Sequence, residues 1–156
     1  MALRETDILT GLHTPGYLIA FGARELEHAR RNGYPVSLIT IDLGGPEGTG
    51  SQAAPDISSE TARKLGDLIR RIAGDGSVIA SLNGNEIAVL LPGVEADKAS
   101  RIGTQIRQGI RSTAQQGLLP PRASVSVGVA STSGELKEFE ELIHASRISL
   151  AQSAVS

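Results

Sequence analysis

Along this chain, stretches in which apolar residues recur every three or four positions alternate with short runs of β-branched and aliphatic residues. Over residues 17–32, Leu18, Phe21, Gly22, Leu26 and Ala29 fall on one helical face, and Gly33 supplies a stop, which predicts a first helix. VSLITID, residues 36–42, has the composition and length of a buried strand and ends in an acid, Asp42. GGPEGTGSQAAPD then shows no apolar periodicity. Ala62, Leu65, Leu68, Ile69 and Ile72 return at helical spacing, so a second helix, capped near Asp56 or Ser58, follows a Gly-rich loop. SVIASL (77–82) and EIAVLL (86–91) read as strands joined by Asn83-Gly84, the dipeptide most typical of a two-residue hairpin turn. Ala99, Ile102, Gly103, Ile106 and Ile110 predict a third helix, ASVSVGVA a fourth strand, and Phe139, Leu142, Ile143, Ser146 and Leu150 a last helix.

From residue 36 to residue 130 the order is β-α-β-β-α-β, an α+β, ferredoxin-like core with one helix before it and one after. Right-handed crossovers place the third strand beside the first. The end of the first strand and the hairpin between the second and third then share one edge. Asp42 and the turn Asn83-Gly84-Asn85-Glu86 are therefore expected to converge, although about forty residues separate them.

The 156 residues, 40% of them hydrophobic, suffice for one core, and with neither internal repeat nor long linker the whole of 1–156 reads as a single domain. A formal charge of −2 supplies no positive field to recruit nucleic acid or an anionic membrane. Without cysteine there are no disulfides or thiolate metal sites. The longest apolar runs are about six residues against the roughly twenty that span a bilayer, and MALRETD carries no signal-peptide core, so a cytoplasmic location is expected. Two Phe, two Tyr and no Trp leave few rings for stacking bases, which disfavours a ferredoxin-like RNA binder.

Four pieces now stand in order: DILTGL at 7–12, ITID at 39–42, NGNEI at 83–87 and VSVGVA at 125–130. Together they resemble the GGDEF domain, the diguanylate cyclase domain that condenses two GTP into cyclic di-GMP, and the resemblance covers nearly the whole chain. It implies the nucleotidyl cyclase or polymerase palm-like form of the ferredoxin-like core. It also implies chemistry through two divalent cations on the GTP phosphates. On this resemblance Asp42 occupies the first-strand metal-ligand position with the carbonyl of Leu43 beside it, and Glu86 the fourth motif position, an acid assisting proton removal. Asn83, Gly84 and Asn85 occupy the first three motif positions, against the nucleotide.

The departures from the family pattern point one way. Asn85 stands where active members carry an acidic metal ligand, and an amide is a much poorer ligand for Mg²⁺. Asn83 puts a Cβ where backbone must approach the nucleotide. Carried over without gaps, the family's guanine-reading Asn and Asp fall on Gly50 and Ser59, unless the loop is realigned so that Asp56 moves into place; its phosphate-contacting loop falls on residues 45–47, its last-helix Lys on Ser153, and its allosteric Arg-x-x-Asp on residues 74–77. The resemblance thus implies a degenerate GGDEF domain, a regulatory or protein-interaction module with residual GTP binding, requiring Mg²⁺ only if that binding persists. The alternative is an atypical but active cyclase using Asp42 and Glu86. Partners are expected to be another protein or a flanking domain, with GTP and without nucleic acid or membrane. Only six residues precede DILTGL, where family members carry dimerisation segments, so a monomer or weak dimer is expected in isolation.

Plainer readings stand beside these. Asn83-Gly84 needs no ligand to explain it. Asp42 also reads as a solvated strand terminus, and Glu86 as an ordinary acid at the exposed start of a hairpin strand. GGPEGTG lacks the ending of a P-loop and reads as a mobile loop. Arg63, Arg70 and Arg71 read as a solvated helix face, and His13, His28 and His144 show no metal-ligand spacing.

Overall fold

Thr14 opens the first helix, α1 (Pro15–Asn32), by accepting a hydrogen bond at 3.2 Å from the Tyr17 amide, while Pro15 at the first turn has no amide to leave unsatisfied. Gly33 ends it in the left-handed region, φ 72°, with its N–H on the Ala29 carbonyl at 2.8 Å. Leu18, Gly22, Leu26 and Ala29 are the buried residues, as the periodicity predicts. This is a computed structural model, and it describes residues 12–43, 59–83, 86–115, 125–132 and 138–155. Residues 7–11 of DILTGL, the loop 44–58 with its GGPEGTG stretch and the expected caps Asp56 and Ser58, and the turn residues Gly84 and Asn85 lie outside the described residues.

The remaining elements are β1 (Val36–Asp42), α2 (Ser59–Ala73), β2 (Val78–Asn83), β3 (Glu86–Pro92), α3 (Ala96–Gln115), β4 (Ser126–Ser131) and α4 (Phe139–Val155). The sheet order is β2-β3-β1-β4 with antiparallel neighbours, so the third strand does lie beside the first. The α+β, ferredoxin-like expectation holds. Both faces are covered. Ile39, Ile41, Val89 and Leu91 pack with Leu65 and Ile69 of α2 and Ile102, Ile106 and Ile110 of α3. Leu38, Ala88 and Leu90 pack on the other face with Leu18 and Leu26 of α1 and Phe139 and Leu142 of α4. This is the period-2 alternation of a strand, and it explains why β1 is buried from Val36 to Ile41 on both sides.

The two outer edges are met by short local contacts. His13 bridges β2, its N–H donating to Ile79 and its carbonyl accepting from Ser81, each at 3.0 Å. On the far edge the Val129 amide donates to Ser149 Oγ of α4 at 3.1 Å. Such cover blunts an exposed ladder.

The hairpin differs from expectation by one residue. Asn83 pairs with Glu86 after a register shift between Ser81 and Asn83, so Gly84 and Asn85, rather than Asn83 and Gly84, separate the paired ends. A bulge inserts one extra residue in one strand and displaces the turn along it. Ser77, predicted to begin β2, instead closes a turn: its N–H and its hydroxyl both donate to the Gly74 carbonyl, at 3.2 and 2.7 Å. No described helix is long and apolar enough to cross a membrane.

Candidate functional site

Central β1 carries Asp42 out of a fully buried strand to its partly exposed end. There Asp42 lies directly opposite Glu86 of β3 on one side and Ser126 of β4 on the other. Directly opposed residues of an antiparallel pair present their side chains on the same face. The convergence expected from topology is thus realised at the level of register. Leu38, Thr40 and Asp42 alternate onto the face covered by α1 and α4. Leu43, 3% exposed, returns its side chain to the opposite cluster and anchors the strand end from below.

Glu86 overturns the expectation of an exposed acid. It is 9% exposed, and both of its oxygens are occupied by the guanidinium of Arg147, with Nε on Oε2 at 3.0 Å and Nη2 on Oε1 at 2.8 Å. Two parallel N–H donors matched to one carboxylate form the strongest common ion-pair geometry. The bonded carboxylate raises the Arg147 pKa above its ordinary value, the hydrogen bond acting against the opposing effect of burial. The guanidinium that meets this acid at the start of β3 offsets much of the cost of burying its charge.

Arg147 escapes a reading of the sequence alone, since it stands 61 residues from Glu86 in a helix whose apolar stripe gives no sign of chemistry. One signal was present. Arg147 is the sole Lys or Arg of α4 and follows Ile143 by four residues, on the margin of the buried stripe.

The other predicted site positions are less gathered. Asn83 ends β2 opposite Glu86, at the edge of the site. Gly84, Asn85, Gly50 and residues 45–47, together with the side chains of Asn83, Ser59 and Ser153, lie outside the described residues. The stretch 74–77 is the tight turn closed by Ser77. Among the described residues no group of three or more His, Cys, Asp or Glu gathers as a metal site requires. His28 is taken up by Tyr34, its Nδ1 lying 2.7 Å from the phenol oxygen, and His13 stacks on Tyr17 with ring centroids 4.3 Å apart.

Against this geometry, the profile of the family described as "Diguanylate cyclase, GGDEF domain" matches residues 4–154. The chain belongs to the GGDEF domain family. The response regulator PleD of Caulobacter vibrioides is 28% identical over 149 residues, covering 92% of this chain and 32% of that protein. A probable diguanylate cyclase of Escherichia coli, DgcC, is 20% identical over 144 residues, 92% of this chain and 39% of that one. The chain therefore spans about a third of the length of these relatives. Among solved structures, the GGDEF domain of FimX from Pseudomonas aeruginosa superposes with a TM-score of 0.78 at 16% identity, over 98% of this chain and 95% of that one. These likenesses place the fold among GGDEF domains, the cyclase palm-like form, and the family belongs to cyclic di-GMP signalling.

GGDEF domains generally use Mg²⁺ when active. The described residues fit a pair of such cations poorly. Glu86 offers both of its oxygens to a guanidinium rather than to a cation.

Proposed function

We propose that this GGDEF domain acts in cyclic di-GMP signalling as a regulatory or protein-interaction module without cyclase turnover, with weak GTP binding as the property it retains. The observation that carries the reading is the Glu86–Arg147 fork. A carboxylate whose two oxygens are engaged by a guanidinium must open that ion pair before it can take a proton from a substrate or ligate a cation. With Asn85 neutral and Glu86 paired to Arg147, an incoming divalent cation meets less negative charge than a site with three free carboxylates would offer. The second reading, an atypical active cyclase, draws on one fact: Asp42 and Glu86 are both kept, and the register sets them face to face.

The test is cyclic di-GMP formation, followed by mass spectrometry, with the domain held as a forced dimer in GTP and Mg²⁺. No product is expected from this chain or from Asn85→Asp. The variant restores one carboxylate, yet Glu86 stays on Arg147, and Gly50 and Ser59 stand where the family reads guanine. Two lost charged hydrogen bonds at about 1.5–3 kcal/mol each remove roughly 3–6 kcal/mol. That amounts to on the order of a hundred- to ten-thousand-fold in catalytic efficiency. Turnover of Asn85→Asp comparable to an ordinary cyclase would sink the reading. Calorimetry with GTP and Mg²⁺ separates its two forms: micromolar binding supports a nucleotide sensor, and none up to millimolar leaves contact with a protein.

A further inference from the structure

The misfit between Glu86 and a divalent cation originates in α4. Asp42 and Glu86 lie directly opposite each other on β1 and β3, so their carboxylates stand on one face at one end of the sheet. Paired carboxylates are the oxygen ligands that hard divalent cations take. At this end Arg147 holds Glu86 instead, with Nε on Oε2 at 3.0 Å and Nη2 on Oε1 at 2.8 Å.

The backbone that carries Arg147 is held on both sides of it. Ser146 is fully buried and its hydroxyl donates to the Ile143 carbonyl at 2.8 Å, while Ser149 Oγ accepts the Val129 amide of β4 at 3.1 Å. Helix and strand together therefore set where the guanidinium reaches, and the fork forms with only its own side chain left to order. The guanidinium is half-exposed and the carboxylate nearly buried. Arg147 is thus the partner with water to swing into, and the pair can open by rotation of that one side chain.

Building on the function read above, we propose that Arg147 is a tethered cation that sets the ion specificity of this end of the sheet. By holding Glu86 it closes the Asp42–Glu86 pair to free divalent cations, and it does so more than the neutral Asn85 does. A divalent ion at Glu86 has to displace a fork already in place and then sit near the positive charge it displaced. Asn85→Asp supplies a carboxylate and leaves the fork. Replacing Arg147 by a neutral residue removes both obstacles at once.

The experiment titrates the full ¹⁵N-labelled chain with Mn²⁺ alone, without nucleotide, and follows paramagnetic broadening of its amide signals. The wild-type chain and Asn85→Asp are expected to show no saturable broadening centred on Asp42, Leu43, Glu86 and Ile87. Arg147→Gln is expected to gain it, binding Mn²⁺ tighter by about tenfold or more, the worth of a charged hydrogen bond. Adding Glu86→Gln to that variant should remove it again. A purely structural Arg147 would lower thermal stability on substitution and create no Mn²⁺ site. Should Arg147→Gln lose its folded spectrum, Arg147→Lys decides, since an ammonium without the fork is expected to let Mn²⁺ in more tightly than the wild type does. Saturable broadening at these amides in the wild type, equal gain in Asn85→Asp and Arg147→Gln, or folded Arg147 variants as silent as the wild type would overturn the proposal. The two readings fail separately. Wild-type Mn²⁺ binding at Asp42 and Glu86 without cyclic di-GMP formation sinks only the specificity role of Arg147, and product formation beside a silent wild-type titration sinks only the proposed function.

Discussion

At Glu86 a nearly buried carboxylate meets a half-exposed guanidinium. Its side chain is 12% exposed while that of Arg147 is 49% exposed, so water screens one partner and barely reaches the other. Arg147→Ala would leave a nearly buried carboxylate without its guanidinium, and a cost of about 1–3 kcal/mol is expected, the lower part of the buried range because of that screening. Thermal unfolding measures it, and Arg147→Lys should recover only part, since an ammonium cannot reproduce the fork. Two residues before Asp42, Thr40 is fully buried and its Oγ1 has no hydrogen-bond partner. Thr40→Val removes that hydroxyl at little change of shape and is expected to stabilise by roughly 1 kcal/mol, read as a higher denaturation midpoint. Tyr34 donates a hydrogen bond to Glu25, and that bond, with the carboxylate charge, pushes its pKa from 10.0 up to about 12. A raised folded-state pKa means the contribution is whole below pH 10, the unfolded value, and is lost as pH rises through 12. A spectrophotometric titration should show one tyrosine ionising near 12, and Tyr34→Phe should abolish that phase and the matching decline in stability.

At the scale of elements, α1 and α4 reach the sheet by way of one close approach. A Cβ built at Gly22 would lie 2.4 Å from Cζ of Phe139, a side chain 1% exposed, so the ring rests directly on the α1 backbone. Gly22→Ala is expected to destabilise. Overpacking a core costs about 1–3 kcal/mol, and the better helix propensity of alanine returns at most about 1 kcal/mol. Phe139→Ala should cost about 3–5 kcal/mol through the lost ring and its cavity. The double variant tests the geometry itself: with the ring gone, Gly22→Ala should become neutral or stabilising in urea denaturation, a clear departure from additivity. The glycine stood in the predicted apolar face of the first helix, and helical periodicity could place it there without saying what it had to admit. The hairpin shows a similar limit. Asn83-Gly84 signalled the turn correctly, but the bulge after Ser81 moved its phase by one residue, because pairing is settled by the burial of β2 and β3 and not by the turn dipeptide alone.

For the molecule as a whole, two apolar clusters share one sheet, and β1 belongs to both. Its amides, flanked by β3 and β4 and buried on both faces, are expected to exchange with solvent more slowly than those of edge strands β2 and β4, a ranking that hydrogen exchange measures directly. The alternation of residues between clusters was legible beforehand, since periods of two and of 3.6 depend only on neighbours in the chain. So were the order of elements, the strand that would lie beside β1, and the four motif pieces that resemble the family, including the acids Asp42 and Glu86. The meeting of those acids followed from topology and needed no side-chain detail. What α4 brings to them did not follow, for an amphipathic stripe says which side of a helix is buried and leaves open where along the sheet it lies. Only the packed arrangement carried Arg147 onto Glu86 and turned an acid read as exposed into a buried, engaged one. The same packing set Arg107 against β4 and Ser149 with no acceptor for its Nε. Both outcomes rest on contacts between distant segments at the precision of a hydrogen bond, a precision reached when three elements pack together and absent from the local pattern of any one of them.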